Sequence, residues 1–400
     1  MSELKRRVRQ PLDVPFSFVR ALLLALPLVA IDCSHDPTSP HRPATPYLHA
    51  LAITTGYTHS CAITDAHRLN CWGSNEEGQL GDGSTTGRNK ADVSLGALEV
   101  SRVAAGGEHT CALTTAGELY CWGRNEWGQV GDGSVEARLS PVQVSTDAHF
   151  VDIFAGGETS CAMTAGGEVY CWGFMVGTSS AASYQMPAKV SGDVSFKSLN
   201  VSEFAVCGVS TNNIPYCLKP TATADGVAGG PGYLWRPQPA PSSGFISFAG
   251  GLLSDCGLDA SSLAECFGDN QFGELGIGDM SAHDGVSAVA GDRSYTALYA
   301  GYDWTCGTTS TGDTYCWGHN NWGALGPAVD QQFVQVAPTL LAVPSGLRFT
   351  AMDGGLYHMC GIGTDSIVYC WGAGMNGQLG DGHSTENFYS TSLPAPVHAY

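Results

Sequence analysis

Fourteen of the fifteen cysteines fall into seven pairs: Cys61/Cys71, Cys111/Cys121, Cys161/Cys171, Cys207/Cys217, Cys256/Cys266, Cys306/Cys316 and Cys360/Cys370. Every pair has the same separation of ten residues. Zinc would need four sulfur or nitrogen ligands converging on one site, and each pair offers only two. A helical hairpin with twin cysteines also uses this spacing, but the Gly and Trp-Gly at these positions rule against helices. Structural disulfides are the chemistry the pattern favours, and they require an oxidising compartment.

Other residues that could do chemistry are weaker. His59, His109 and His358 each stand two residues before the first cysteine of a pair. As metal ligands they would have to converge, whereas a repeating chain holds them about one unit apart. Each is read as a structural histidine bonded to nearby backbone. Gly372-Ala373-Gly374-Met375-Asn376-Gly377 matches a dinucleotide-binding glycine pattern, but that site needs a helix to follow, and here the stretch is a local copy of a turn. Asp82-Gly83, Asp132-Gly133 and Asp381-Gly382 lack the run of oxygen ligands that calcium needs and read as turns. No Ser/His/Asp set, paired carboxylates or activated cysteine stands out. No metal, no cofactor and no catalysis are therefore expected.

The element that must position the cysteines is written seven times. CALTTAGELYCWGRNEWGQVGDG begins at Cys111, CAITDAHRLNCWGSNEEGQLGDG at Cys61 and CGIGTDSIVYCWGAGMNGQLGDG at Cys360, with weaker copies at Cys207 and Cys256. The period is near 50 residues, which signals a repeat architecture. Pairing Cys111 with Cys121 across a hairpin leaves the loop Thr115-Ala116-Gly117, and such loops want a left-handed residue last. Gly117, Gly167, Gly312 and Asn213 satisfy this, while His67, Ser262 and Ile367 depart from it. Thr114 and Glu118 then form the hydrogen-bonded pair. The cysteines fall on a non-hydrogen-bonded pair, where the Cα atoms come close enough for a disulfide.

Two strands precede each hairpin, for example Pro141-Val142-Gln143-Val144 and Val151-Asp152-Ile153-Phe154-Ala155. Four short strands per repeat imply an all-β fold, a seven-bladed β-propeller of four-stranded antiparallel blades with one intra-hairpin disulfide per blade. Trp72, Trp122, Trp172, Trp317 and Trp371 share one repeat position, with Leu218 and Phe267 in the weak copies. They read as a ring of inter-blade packing. The first hairpin has only Leu51–Thr54 before it, and the chain ends in an extra strand-like segment. Residues 394–399 are therefore expected to pair into the first blade and close the ring.

The stretch GGEHTCALTTAGELYCWGRNEWGQVGDG resembles the repeats of the regulator of chromosome condensation (RCC1) family. It carries that family's G-x-x-H-x-x-(A/G)-L, (V/L)-Y-x-W-G and N-x-x-G-Q-L-G elements. The resemblance covers residues 50–400, is weakest over 174–250, and implies a seven-bladed propeller. Bacterial exported members of the family commonly have such a cysteine pair, and a secreted relative inhibits β-lactamases. The namesake's work on a nuclear GTPase and chromatin does not transfer to an exported acidic chain, and a propeller by itself is a scaffold.

Lys5, Arg6, Arg7, Arg9 and Arg20 precede the apolar run Ala21–Ile31, and Cys33 follows. The run suits an export signal and is too short for a comfortable membrane span. Residues 1–33 are thus read as a signal peptide and 34–47 as a Pro/Ser/Thr-rich linker. Residues 48–400 are read as the propeller. Cys33 stands where bacterial lipoproteins carry their lipid, although Asp32 is not the usual small residue before it. The chain is placed outside the cell or lipid-anchored at the envelope. Removing residues 1–32 takes five basic and three acidic residues from 18 and 37, leaving a formal charge of −21. That argues against nucleic acid, whose phosphates need clustered Lys and Arg.

Binding is sought where the repeats differ. In N-x-x-G the residue before Gly is Trp127, Phe272 or Trp322 in three copies, all expected on one rim, where exposed aromatics act as anchors. An insert, Lys219–Gly244, carries Tyr233, Trp235 and Arg236 and reads as a long functional loop. The expected activity is that of a monomeric scaffold binding a protein or a surface polysaccharide, with enzyme inhibition as one form. The rival is a propeller lyase or hydrolase with charged residues from several blades gathered at the channel mouth.

Overall fold

The computed structural model describes residues 47–399 apart from 94–95, 97, 176–181, 191, 204, 221–232, 239–243, 252–253, 284, 321, 328–332 and 384–388. The expected signal segment with Cys33, and the linker up to 46, lie outside the described residues. Among those described, seven four-stranded antiparallel sheets follow one another along the chain. The second blade is representative. Val100–Ala105 lines the centre, His109–Thr114 and Leu119–Gly123 make the hairpin, and Arg138–Gln143 forms the outer edge.

This order corrects the sequence reading in one respect. The Pro-Val type strand closes the blade of the hairpin before it and does not open the next one. Arg138–Gln143 pairs with Leu119–Gly123, so Cys121 lies opposite Val142. A blade is thus one unbroken stretch of chain. The expected pairing of residues 394–399 into the first blade fails for the same reason: Ser390–Pro396 is the outer strand of the seventh blade.

The ring closes instead with the seam used between other blades. Val100 N–H donates to the carbonyl of His67 in the preceding hairpin turn at 2.9 Å, and Phe245 does so to Asn213. Ala50 N–H makes the same bond to Ser366 at 3.0 Å, across the two ends of the chain. Leu48 N–H donates to Val397, Ala91 N–H donates to His398, and Ala399 makes one parallel bridge to Ala91. The tail thus touches the first blade without adding a strand to it.

All seven hairpins carry the expected disulfide. Cys61 is joined to Cys71, Cys111 to Cys121, Cys161 to Cys171 and Cys207 to Cys217. Cys256 is joined to Cys266, Cys306 to Cys316 and Cys360 to Cys370. The Cα–Cα distances are 4.0–4.1 Å throughout. Thr114 N–H donates to Glu118 at 2.9 Å, which places Cys111 and Cys121 on the non-hydrogen-bonded pair. Cys71, Cys171, Cys266 and Cys316, on the second strands of their hairpins, are buried like their partners. The bridges therefore belong to the core, and none of these sulfurs is offered to a ligand or substrate. The left-handed loop position is held by Gly117 (φ 84°), but also by His67 (φ 57°) and Ser262 (φ 64°). In the seventh hairpin it is Ser366 (φ 66°), not Ile367. Counting six residues from Cys360 lands on Ser366, and a β-branched Ile would resist that backbone.

The core lies between blades. Cys111, Cys121, Leu113 and Leu119 of the second blade pack against Ala162 and Trp172 of the third. Cys61 and Cys71 of the first blade meet Trp122 of the second in the same way, and Cys256 and Cys266 of the fifth meet Trp317 of the sixth. Cys306 and Cys316 of the sixth meet Trp371 of the seventh. In the weaker third-to-fourth seam, Cys161 and Cys171 pack against Leu218, which stands in for the tryptophan. The seam between the seventh and first blades repeats the pattern with Cys360, Cys370 and Trp72. The five tryptophans are fully buried. Their indole N–H groups donate to backbone carbonyls of the preceding blade, as Trp122 does to Gln79 and Trp172 to Gln129, at 2.8 and 2.9 Å. Gly131 makes this fit possible. A Cβ there would stand 2.6 Å from Trp172 Nε1, and its φ of 77° already disfavours other residues.

Candidate interaction face

Up-down topology puts the hairpin turns at one end of the ring. The opposite end carries the turns leaving the inner strands (Gly56, Gly106, Gly355) and the N-x-x-G loops. The inner strands enclose a cavity of about 320 Å³ that opens among those turns. Its described lining includes two carboxylates, Glu203 and Asp353, and no Lys, Arg or His.

Asp353 of the seventh blade accepts from Thr55 N–H at 2.7 Å and Thr55 Oγ at 3.2 Å, both in the first blade. Burial pushes its pKa up to about 6, with the Thr55 hydrogen bonds opposing. Thr54 Oγ accepts from Ala105 N–H at the next seam, at 3.1 Å. Asp353 is therefore part of the clip between inner strands. Glu203 differs. Its Oε2 is buried with no hydrogen-bond partner, and burial raises its pKa.

The three histidines do not converge, as expected, but their partners are not backbone. His59 Nε2 lies 2.9 Å from Thr110 Oγ, His109 Nε2 lies 2.8 Å from Ser160 Oγ, and His358 Nε2 lies 2.9 Å from Ser60 Oγ. Each hydroxyl in turn donates to a carbonyl: Thr110 to Gln79, Ser160 to Gln129 and Ser60 to Gln378. The hydroxyls must then accept from the rings, which puts a proton on Nε2 and leaves each buried Nδ1 without a partner. Burial lowers all three to about 3. They form a belt stitching four successive blades, seventh to third. Thr159, Ala205, Ser254 and Trp304 stand at this position in the other four blades.

The Asp82-Gly83 and Asp132-Gly133 loops are turns closed by asparagine, whereas Gly374 stands at that position before Asp381-Gly382. Asn75 Nδ2 donates to Asp82 Oδ1 and to the carbonyls of Ser84 and Thr86, and its Oδ1 accepts from Leu80 N–H. Asn125 and Asn270 repeat this pattern. An amide fills the oxygen cage that an ion would need. Among the described residues one group has metal-like geometry, Cys207, Cys217 and Asp255, and its two sulfurs are joined in a disulfide. Residues 372–377 run from the end of the strand Val368–Ala373 into a turn with no helix after it.

The rim aromatics all lie on this loop face, and each reaches across a seam. Trp127 meets Phe174 of the third blade edge-on, with centroids 4.9 Å apart. Phe272, 38% exposed, stacks on His319 of the sixth blade at 4.4 Å. Trp322 leans on Tyr357 of the seventh at 5.9 Å. Each is thus half packing residue and half exposed surface. Beside Trp127, Arg124 contacts Glu108, Glu126 and Glu158 at 2.8, 2.6 and 3.3 Å. The insert is a strand where a loop was expected: Tyr233–Pro237 is the outer strand of the fourth blade, because Pro215–Pro220 offers it an unpaired edge. Arg236 is exposed there, away from the rim. Nothing is described of the side chains of Tyr233 and Trp235, or of residues 221–232. Sequence reasoning missed Glu203 and Asp353, because in each case the signal is one carboxylate at a position that the other copies fill differently.

These features define a closed, disulfide-stapled seven-bladed β-propeller with an aromatic and acidic loop face. Between residues 50 and 163 the chain carries RCC1 repeats: the model for the regulator of chromosome condensation repeat matches residues 67–113 and 116–163, and a second matches 50–79 and 100–129. Relatives include the ultraviolet-B receptor UVR8 of Arabidopsis thaliana, 28% identical over 132 residues, covering 32% of this chain and 29% of that one. The guanine nucleotide exchange factor SRM1 of Saccharomyces cerevisiae is 28% identical over 175 residues, 36% of each chain. The chain spans between 7% and 36% of the length of the curated relatives it matches. The solved structure of yeast RCC1 (Prp20) bound to Kap60 superposes with a TM-score of 0.70 at 18% identity, covering 91% of both chains. At that identity the likeness is one of fold.

Proposed function

We propose that this chain is an exported propeller that binds a protein through its loop face, with inhibition of an enzyme as one form such binding takes. Trp127, Phe272 and Trp322 carry this reading. They are large, partly exposed aromatics at one repeat position, held by neighbouring blades and so already fixed in place. Rigid aromatic anchors lose little entropy on binding. The seven disulfides support export, and the signal segment 1–33 would supply it, with Cys33 as a lipid anchor. A fold neighbour points the same way: Prp20p of Saccharomyces cerevisiae binds Gsp1p and histones. The protein is expected to be a monomer, with no role in nucleic-acid binding because of its formal charge of −19. A surface polysaccharide is the alternative occupant of the same aromatics. Capture from native envelope extracts, comparing wild type with W127A/F272A/W322A, tests the reading. A partner retained by wild type and lost by the variant supports it. Equal retention by both overturns it.

A further inference from the structure

Carboxylates stand at both ends of the ring, but most of the basic residues lie at one. Arg68, Arg102, Lys189, Lys197, Arg293 and Arg348 lie at or beside the hairpin turns, where Lys189 meets Glu168 and Arg348 meets Asp313. On the loop face, Glu76, Glu108, Glu126, Glu158, Glu203 and Asp303 stand in the turns around the channel. Among the described residues of those turns, Arg124 is the one Lys or Arg, and three of the glutamates already hold it. Arg88 and Arg138 sit farther out and close on Asp82 and Asp132.

The channel mouth has its own composition. The position two residues before the histidine site of each blade is Tyr57, Gly107, Gly157, Glu203, Tyr302 or Leu356 in six of the blades; it follows a glycine in five of them and Ser202 in the fourth. Tyr57 N–H donates to Gly107, and Gly107 N–H to Gly157, at 3.1 and 2.7 Å. The Tyr57 ring lies over Gly107, and the Glu203 carboxylate lies beside Gly157. Two residues without side chains therefore let a phenol ring and a carboxylate share one sector. Tyr302 feels the charge of Glu203 from the other side. A half-buried carboxylate whose inner oxygen has no partner, near aromatic rings at the opening of a cavity without a cation, is the inverse image of an ammonium or guanidinium group.

We propose that the channel mouth receives a cationic side chain, an arginine or lysine presented on a loop of the protein partner, with Glu203 as counter-charge and Tyr57 and Tyr302 as walls. This rests on the reading of the loop face as the binding surface and adds the chemistry of what it binds. The cavity has room for such a side chain, and the acidic turns around it would draw a basic loop toward the opening.

The probe is a fluorescein-labelled tetra-arginine peptide flanked by glycines, with a glutamine peptide of equal length as control. Anisotropy is measured on the purified full chain with its disulfides intact. The arginine peptide should bind and the glutamine peptide should not, and added salt should weaken the binding. E203Q should weaken it roughly tenfold, the loss of one charge-assisted contact. E118Q, at an exposed hairpin turn on the opposite face, should leave it unchanged. E203Q should melt no lower than wild type, because it removes a half-buried charge whose inner oxygen has no partner. Y302A should weaken binding and Y302F should retain it. Equal losses from E203Q and E118Q would reduce the effect to diffuse charge and overturn the proposal. So would equal binding of the two peptides. If neither peptide binds while the rim variant still loses its native partner, the cationic chemistry is wrong and the binding face stands.

Discussion

Acid should loosen this propeller through its histidine belt. His59, His109 and His358 have folded pKa values near 3, against about 6.5 in an unfolded chain. The unfolded state binds protons first, so the stability they contribute is complete above pH 6.5 and is lost as the pH falls toward 3. At pH 5 the linkage costs roughly 2 kcal/mol per histidine, or about 6 kcal/mol for the three. Asp353 works against this. Its folded pKa of about 6 lies above the usual carboxylate value, so its protonation favours the folded state below pH 6. That returns roughly 1.4 kcal/mol at pH 5. The net loss, roughly 5 kcal/mol, is comparable to the whole stability of many domains, about 5–15 kcal/mol. Denaturant unfolding at pH 7.5, 6 and 5, without reductant, measures it. H59Q/H109Q/H358Q, in which an amide can reach the same hydroxyls without titrating, should lose most of the pH dependence. A wild-type stability that is flat from pH 7.5 to 5, or an unchanged slope in the triple variant, would refute the reasoning.

Four further outcomes follow from the geometry. C111A/C121A should destabilise the domain by about 3 kcal/mol, the closure entropy of a ten-residue loop, and peptide mapping of the wild type should return only pairs ten residues apart. W127A/F272A/W322A should cost binding about 2 kcal/mol or more per anchor. In stability it should cost about 0.5–1.5 kcal/mol per ring pair, so a large fall in melting temperature with binding intact would make these residues packing alone. Deleting residues 397–400 removes the fully buried Val397 and its bond to Leu48; the melting temperature should fall and aggregation rise, and an unchanged melt would show that the seam holds without the tail. G131A should be strongly destabilising, because its Cβ meets the Trp172 indole, and near-wild-type stability there would show that the indole can shift.

The hairpin was legible in sequence because its constraints are local. A fixed cysteine spacing, a three-residue loop and the alternation of a strand determine the register and the disulfide. Even His67 and Ser262, which lack glycine's freedom, take the left-handed conformation the loop demands. The phase of the outer strand was not legible. Pro141-Val142-Gln143-Val144 can belong to the hairpin before it or after it with the same pattern, and only the pairing of Cys121 with Val142 decides. The histidines were recognised as structural, but their partners lie 51 residues away for His59 and His109, in the adjoining copy, which no local pattern reveals. The rim aromatics share one repeat position, yet Phe174 and His319, which hold two of them, lie at a position whose residue differs in every copy. Glu203 became visible only once the inner strands were brought side by side around the channel.

The seam has a consequence for how such a ring can be cut. Because each blade is one contiguous stretch, and Ala50 meets Ser366 by the same bond that joins Val100 to His67, the chain ends sit in a junction like any other. No strand is exchanged across it. New ends opened between another pair of blades, with residues 47 and 399 tethered by a short linker, would leave every blade whole. The same equivalence makes the blade the natural unit of gain and loss by duplication, and makes the untethered junction the place where a pulling force would open the ring first.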